Sequence, residues 1–152
     1  VSSAASDVYK RQIFISMIRL IDLLKEISIP TPVIGRGNTL KFKVSDIFPN
    51  PPIKVEDETY NQLMGDWEDA NTTIDKLPIK SININNLYPH QDLVDKKKVL
   101  DILKTGAPDM SDIFVATADN KTFYLVDGHN RVAAQILKGA TSIKARVFTP
   151  NN

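Results

Sequence analysis

Tyr124-Leu125-Val126-Asp127-Gly128-His129-Asn130-Arg131-Val132-Ala133-Ala134, closing at Gly139, reads as a buried strand, a tight turn and a helix. Phe123 to Val126 is the apolar and aromatic run of a strand. Asp127 stands where an N-cap belongs, with a carboxylate able to accept from the first free N–H groups. Gly128 lets backbone approach a neighbour with no Cβ in the way. Ala133, Ala134, Ile136 and Leu137 give the following helix one apolar face, and Gly139 suits the residue after its C-cap. A helix N-terminus offers unpaired donors and a positive dipole end, which suits an anion. Arg131 in the first turn adds a planar fork that matches phosphate. His129 adds a group that donates, accepts or carries charge near neutral pH. A capped helix in which Arg131 merely pairs with a carboxylate accounts for the same residues.

Towards the C terminus, Ile143 to Phe148 is a last strand. Towards the N terminus, Ile113 to Ala116 is a strand joined to the strand ending at Val126 by an Asp119-Asn120 turn. Before it, Asp95 caps a helix with Val99, Leu100, Ile102 and Leu103 on its apolar side. Lys96, Lys97 and Lys98 occupy the first turn of that helix, where cations oppose the dipole. An acidic partner or a phosphate relieves that repulsion, and so does solvent. Pro89-His90-Gln91-Asp92 is a polar loop, from which His90 and Gln91 can reach the pocket beside Gly128 or simply face water. Ile79, Ile82 and Ile84 mark the first strand of this unit, closed by Asn85 to Pro89. The order β-α-β-β-α-β gives an α+β fold, a small mixed sheet with helices packed against it.

Residues 17–75 read as an N-terminal extension of helix, strand and helix, with residues 76–152 as the main domain. Leu20, Ile21, Leu23, Leu24 and Ile27 form the apolar side of a helix from Met17, stopped by Pro30 and Pro32. Gly35-Arg36-Gly37-Asn38 is a turn, and Thr39 to Val44 alternates as a half-buried strand. Phe48-Pro49-Asn50-Pro51-Pro52 is an extended loop. From Glu56 to Trp67, Tyr60, Leu63, Met64 and Trp67 fall at helical spacing and read as core. The polar run Glu68 to Asp75 is the boundary.

Residues 2–12 resemble the in-frame translation of a sequencing adapter, so residues 1–16 are set aside as an artefact or a disordered tail. Without residues 1–12, basic and acidic side chains balance one for one. That argues against strong independent DNA binding, which needs a basic surface. Lys54 to Asp75 holds seven acidic residues and one lysine, and the chain from Lys76 onward is modestly basic. With no cysteine, disulfides and thiol chemistry are excluded. Two histidines without a carboxylate cluster give no metal spacing. Ile13 to Leu24 carries Arg19 and Asp22 and is too short to cross a bilayer, so the expectation is a cytoplasmic protein with no membrane partner.

Residues 79–148 resemble the ParB/sulfiredoxin-like superfamily. The likeness rests on the strand, polar loop and helix, the hairpin, and above all Val126-Asp127-Gly128-His129-Asn130-Arg131-Val132-Ala133-Ala134. Many members carry Gly-x-x-Arg here, often as Asp-Gly-His-His-Arg. Gly128 and Arg131 match its ends, His129 matches the first histidine and Asn130 departs from the second. Gln91 also looks like the glutamine of stand-alone members. The resemblance implies a nucleotide-phosphate site of Gly128, His129, Asn130 and Arg131, lined by Gln91 and His90, with His129 and Asp127 as catalytic candidates. It implies ATP or CTP as ligand, with Mg²⁺ as its companion ion. NTP hydrolysis or phosphoryl transfer is the implied chemistry, and a phage or other prokaryotic source fits. Sulfiredoxin activity needs a cysteine where His129 stands and is rejected. A non-enzymatic, nucleic-acid-associated or scaffold module and a small-metabolite kinase are the other readings of the same fold.

Overall fold

The computed structural model describes residues 3–106 and 113–151, with residue 3 and residues 20–26 as backbone only. Among the described residues, four helices and two sheets make an α+β architecture. Helix α1 spans Ser3–Glu26, so residues 3–16 are helical and continuous with the helix expected from Met17. The expected apolar side at Leu20, Ile21, Leu23 and Leu24 lies outside the described side chains. Ile27, just beyond the helix, is buried in the core.

Strands β1 (Val33–Ile34) and β2 (Leu40–Lys43) form an antiparallel hairpin across the Gly35–Asn38 turn. Along β2 the alternation holds for Phe42, which is fully buried, and continues to Val44, whereas Leu40 is 45% exposed. Helix α2 (Glu58–Asp69) starts at Asp57, whose Oδ1 accepts from Tyr60 N at 2.8 Å. Its stripe packs as expected: Leu63 is buried, with Tyr60, Met64 and Trp67 around it.

Strand β3 (Ile79–Asn83) follows, and then two short strands with no signal in the sequence, β4 (Leu87–Pro89) and β5 (Leu93–Asp95). Helix α3 (Lys96–Thr105) is capped by Asp95 as expected, Oδ1 accepting from Lys98 N at 3.0 Å. The expected helix-ending run Thr105 to Pro108 lies partly outside the described residues. Strands β6 (Phe114–Ala116) and β7 (Phe123–Asp127) pair antiparallel, and Asn120 supplies the left-handed turn residue at φ 57°. Helix α4 (His129–Leu137) ends at Gly139, φ 90°, and β8 (Ser142–Phe148) completes the chain.

The larger sheet has the order β3-β8-β6-β7-β4, with β8/β6 and β7/β4 parallel and the remaining pairs antiparallel. The smaller sheet has the order β1-β2-β5, Lys41 standing opposite Asp95 and Phe42 opposite Val94. Side chains alternate across the larger sheet, as strand geometry requires. Ile113, Val115 and Leu125 join Phe42, Val94, Val99, Leu103, Val132 and Ala133 in one core. Phe114, Ala116, Tyr124 and Phe148 join Leu63 and Leu77 in the other, on the α2 side. Trp67 packs against Phe114 and Phe148 with ring centroids 4.8 and 5.2 Å away. Residues 33–75 therefore supply one strand pair and one covering helix to the same body as residues 76–151.

Candidate functional site

Parallel pairing of β4 with β7 fixes the site. Pro89 stands opposite Leu125, so the chain leaves both strands at the same edge of the sheet. His90 and Gln91 leave β4 there, and Gly128 leaves β7. Strand β5 then leads into α3, whose first turn lies beside that of α4. Asp95 N donates to Asn130 Oδ1 at 2.9 Å and ties the two helix starts together.

The turn is sharper than a capped strand end. Gly128 is the N-cap of α4 and adopts φ 97°, ψ 22°, a left-handed conformation that favours glycine. A Cβ there would sit 3.1 Å from Ile113 Cγ1 and 3.3 Å from Ile113 Cα. The expectation that Asp127 caps the helix is corrected. Asp127 is the last residue of β7, one position too early, and its exposed carboxylate accepts from the adjacent Gly128 N, at 2.9 Å. Gly128, the N-cap residue, has no side chain with which to cap α4. The first three N–H groups of any α-helix have no partner inside it, and those of His129, Asn130 and Arg131 hold these positions.

A cleft of about 430 Å³ opens at this end of α4. Gly128, His129, Asn130 and Arg131 form one side, Gln91 lies at its edge, and Lys98, Asp101 and Ile102 of α3 form the opposite wall. Of the residues expected at the site, Asp127 and Gln91 line the cleft as well, whereas His90 does not.

His90 is a bracket beneath the floor. Its N–H donates to His129 Nε2 at 3.1 Å, and its Nδ1 lies 2.8 Å from the Leu125 carbonyl oxygen. Its ring stacks on Tyr60 at 5.5 Å and meets His129 edge-on at 4.6 Å. The imidazole of His129 is only 3% exposed. Burial, with the neighbouring His90, pushes its pKa from 6.5 down to about 3. Because Nε2 accepts a hydrogen bond, the proton of the neutral ring belongs on Nδ1, which has no partner among the described residues. A ring held neutral and inward does not suit proton transfer at neutral pH, and the acid–base role expected of it is not supported by this geometry. His129 remains a first-turn residue whose main chain belongs to the helix start. Asn130 likewise has its side-chain oxygen committed to Asp95 N.

Lys98 and Asp101 were not among the expected site residues. The signal was present in the lysine run against the α3 dipole, but only the packing of α3 beside α4 selects Lys98. Asp95, at the cap, has its carboxyl held below the usual range by the Lys98 N–H first and by the Lys41 ammonium next, 2.9 Å away. Among the described residues, no group of three or more His, Asp or Glu could hold a metal.

Asp127 and Arg131 also border a second cavity, of about 670 Å³, on the α2 face of the sheet. Asp127, Phe114 and Arg146 stand in one row across β7, β6 and β8, and Trp67 closes the cavity above them. Arg146 is fixed there by Nη1 donating to the Leu77 carbonyl at 2.8 Å, while its buried Nε has no partner among the described residues. Thr73 and Asp75 form the outer rim, and the Thr73 hydroxyl holds the Asp75 carboxyl below its usual pKa. Asp127 and Arg131 thus form the ridge between two adjoining cavities.

Compared with known proteins, the chain matches no family model, no curated protein and no solved structure.

Proposed function

We propose that the chain is a nucleotide-binding domain of the ParB/sulfiredoxin-like kind, taking the phosphates of a nucleoside triphosphate in the cleft at the start of α4. The observation that carries this reading is the Gly128 bend, a left-handed glycine that turns the start of α4 towards an open cleft. Phosphate oxygens there accept from first-turn N–H groups and meet the positive end of the dipole. Arg131 supplies a planar fork, and Lys98 a point charge from the opposite wall.

The adjoining cavity gives the nucleoside its place, with Trp67 as an apolar wall and Arg146 and Thr73 as polar contacts. Mg²⁺ fits as a companion of the phosphates, since it is usually held by one or two carboxylates together with phosphate oxygens. Asp101 and Asp127 both line the cleft and are the residues that would hold it. When bound, it would neutralise phosphate charge. The protein's own contribution is to position the phosphates and stabilise their charge, which is most of what phosphoryl chemistry asks of a protein. Binding is better supported than turnover, because the imidazole of His129 is buried and held neutral.

Calorimetric titration with ATP and with CTP, with and without Mg²⁺, tests the reading. Saturable binding of one nucleotide, weakened tenfold or more in Lys98→Ala and in Arg131→Lys, is expected. A charge-assisted hydrogen bond is worth about 1.5–3 kcal/mol, and 1.4 kcal/mol is a factor of ten. No heat with either nucleotide, or equal affinity in both variants, contradicts it.

A further inference from the structure

The lysine run of α3 does not act as one patch. Successive helical residues point about 100° apart, so neighbours in sequence face different ways. Lys98 faces the α4 cleft, whereas Lys96 and Lys97 border a separate groove of about 500 Å³ between α3 and the β1–β2 hairpin. Leu40 and Leu100 give that groove an apolar floor, and Lys104, two turns on from Lys97, extends its basic rim. Leu40 is 45% exposed, and Ile34, its register partner on β1, is 74% exposed. Of the two carboxylates that line the groove, Asp95 is already paired with Lys41, which leaves Asp101 against Lys96, Lys97 and Lys104. Lys96 and Lys97 thus stand in the first turn of α3 against its dipole, beside uncovered apolar surface.

We propose that this groove is a docking surface for an acidic peptide segment of a partner protein. One apolar side chain of the segment seats on Leu40 and Leu100, and flanking carboxylates meet Lys96, Lys97 and Lys104. Charge complementarity selects the partner, because carboxylates relieve both the mutual repulsion of the lysines and their conflict with the dipole. A nucleic-acid strand is disfavoured, since among the described residues no aromatic ring lines the groove to stack a base. A bilayer is flat, and this surface is concave.

The test is selection from a random dodecapeptide display library on the full chain, followed by synthesis of the consensus peptide. The expected consensus has a Leu, Ile, Phe or Met flanked by Asp or Glu. The synthetic peptide should bind in a salt-dependent way and shift the methyl resonances of Leu40 and Leu100. Affinity should fall tenfold or more in the triple variant Lys96→Glu, Lys97→Glu, Lys104→Glu and in Leu40→Ser, and hold in Lys98→Ala. All of these side chains are at least partly exposed, and a retained amide spectrum confirms that the variants fold. No enriched consensus, a consensus without acids, or binding that survives the triple reversal overturns the proposal. So does an oligothymidylate that moves the same methyl signals more strongly than the peptide. Because Lys98→Ala is the variant that weakens nucleotide binding, the two proposals fail independently.

Discussion

Gly128 meets two demands at once. Its φ of 97° is one that side-chain-bearing residues rarely adopt, and Ile113 leaves no relaxed space for a Cβ. Gly128→Ala should therefore lower stability by about 1–3 kcal/mol, from left-handed strain together with the contact. Chemical denaturation measures it, and an unchanged midpoint would mean that the bend is not as tight as described. His129 makes a second prediction. Its folded-state pKa of about 3 lies below the usual 6.5, so between these values the unfolded chain binds a proton that the folded one refuses. Stability from this group is complete above pH 6.5 and is lost as pH falls toward 3, by about 1.4 kcal/mol per unit once well below 6.5. The carboxylates of Asp75, Asp95 and Asp119, whose pKa values are depressed from 3.8, act in a lower window, below pH 4. Thermal melts from pH 7 to 4.5 should show the wild type losing stability steeply. His129→Gln, which keeps an acceptor but does not titrate, should be much flatter. Parallel curves would remove His129 as the cause.

At the scale of elements, the site depends on how α3 and α4 start together. Asn130→Ala removes the acceptor of the Asp95 N–H and should cost about 1–3 kcal/mol, because a donor at a partly buried helix junction is left unmade. Denaturant titration checks this, and a loss below about 0.5 kcal/mol would show that the side-chain bond does not hold the junction. This element scale is also where the sequence was unevenly legible. The α2 stripe, the Asp95 helix start, the β6–β7 hairpin and the Gly139 helix end all follow from local periodicity and turn chemistry. Asp95 and its helix could be read directly because a carboxylate preceded an apolar face. Strands β4 and β5 could not. Each has three residues, too few to show alternation, and β4 ends in a proline, so partners supplied by β7 and β2 define them. The place of Asp127 was missed by one residue, since a carboxylate before a helix resembles a cap whether the turn begins at it or after it. The inward turn of His129 was equally invisible, because sequence gives a ring's chemistry but not its rotamer.

On the scale of the whole molecule, the polar run Glu68 to Asp75 looked like a boundary, yet α2 covers Phe114, Tyr124 and Phe148, and β2 pairs with β5. A chain beginning at Lys76 would uncover those rings and Leu77. Each buried side chain of this size contributes about 1.5–3 kcal/mol, so the loss is of the order of a domain's whole stability, about 5–15 kcal/mol. Such a fragment should give a poorly dispersed amide spectrum and no cooperative melt, and a well-folded fragment would contradict the shared core. The net charge of the chain, only +1, leaves it without a broadly basic surface. Trp67, the single tryptophan, stands in the cavity beside the α4 cleft, so nucleotide bound across the Asp127–Arg131 ridge should change its fluorescence. The most direct test of the phosphate site is an amide chemical-shift titration of ¹⁵N-labelled protein with pyrophosphate. The account predicts saturable shifts, largest at Gly128, His129, Asn130 and Arg131, with a clear response at Lys98. Shifts that never saturate, or that spread over surface lysines while the start of α4 stays still, would contradict it.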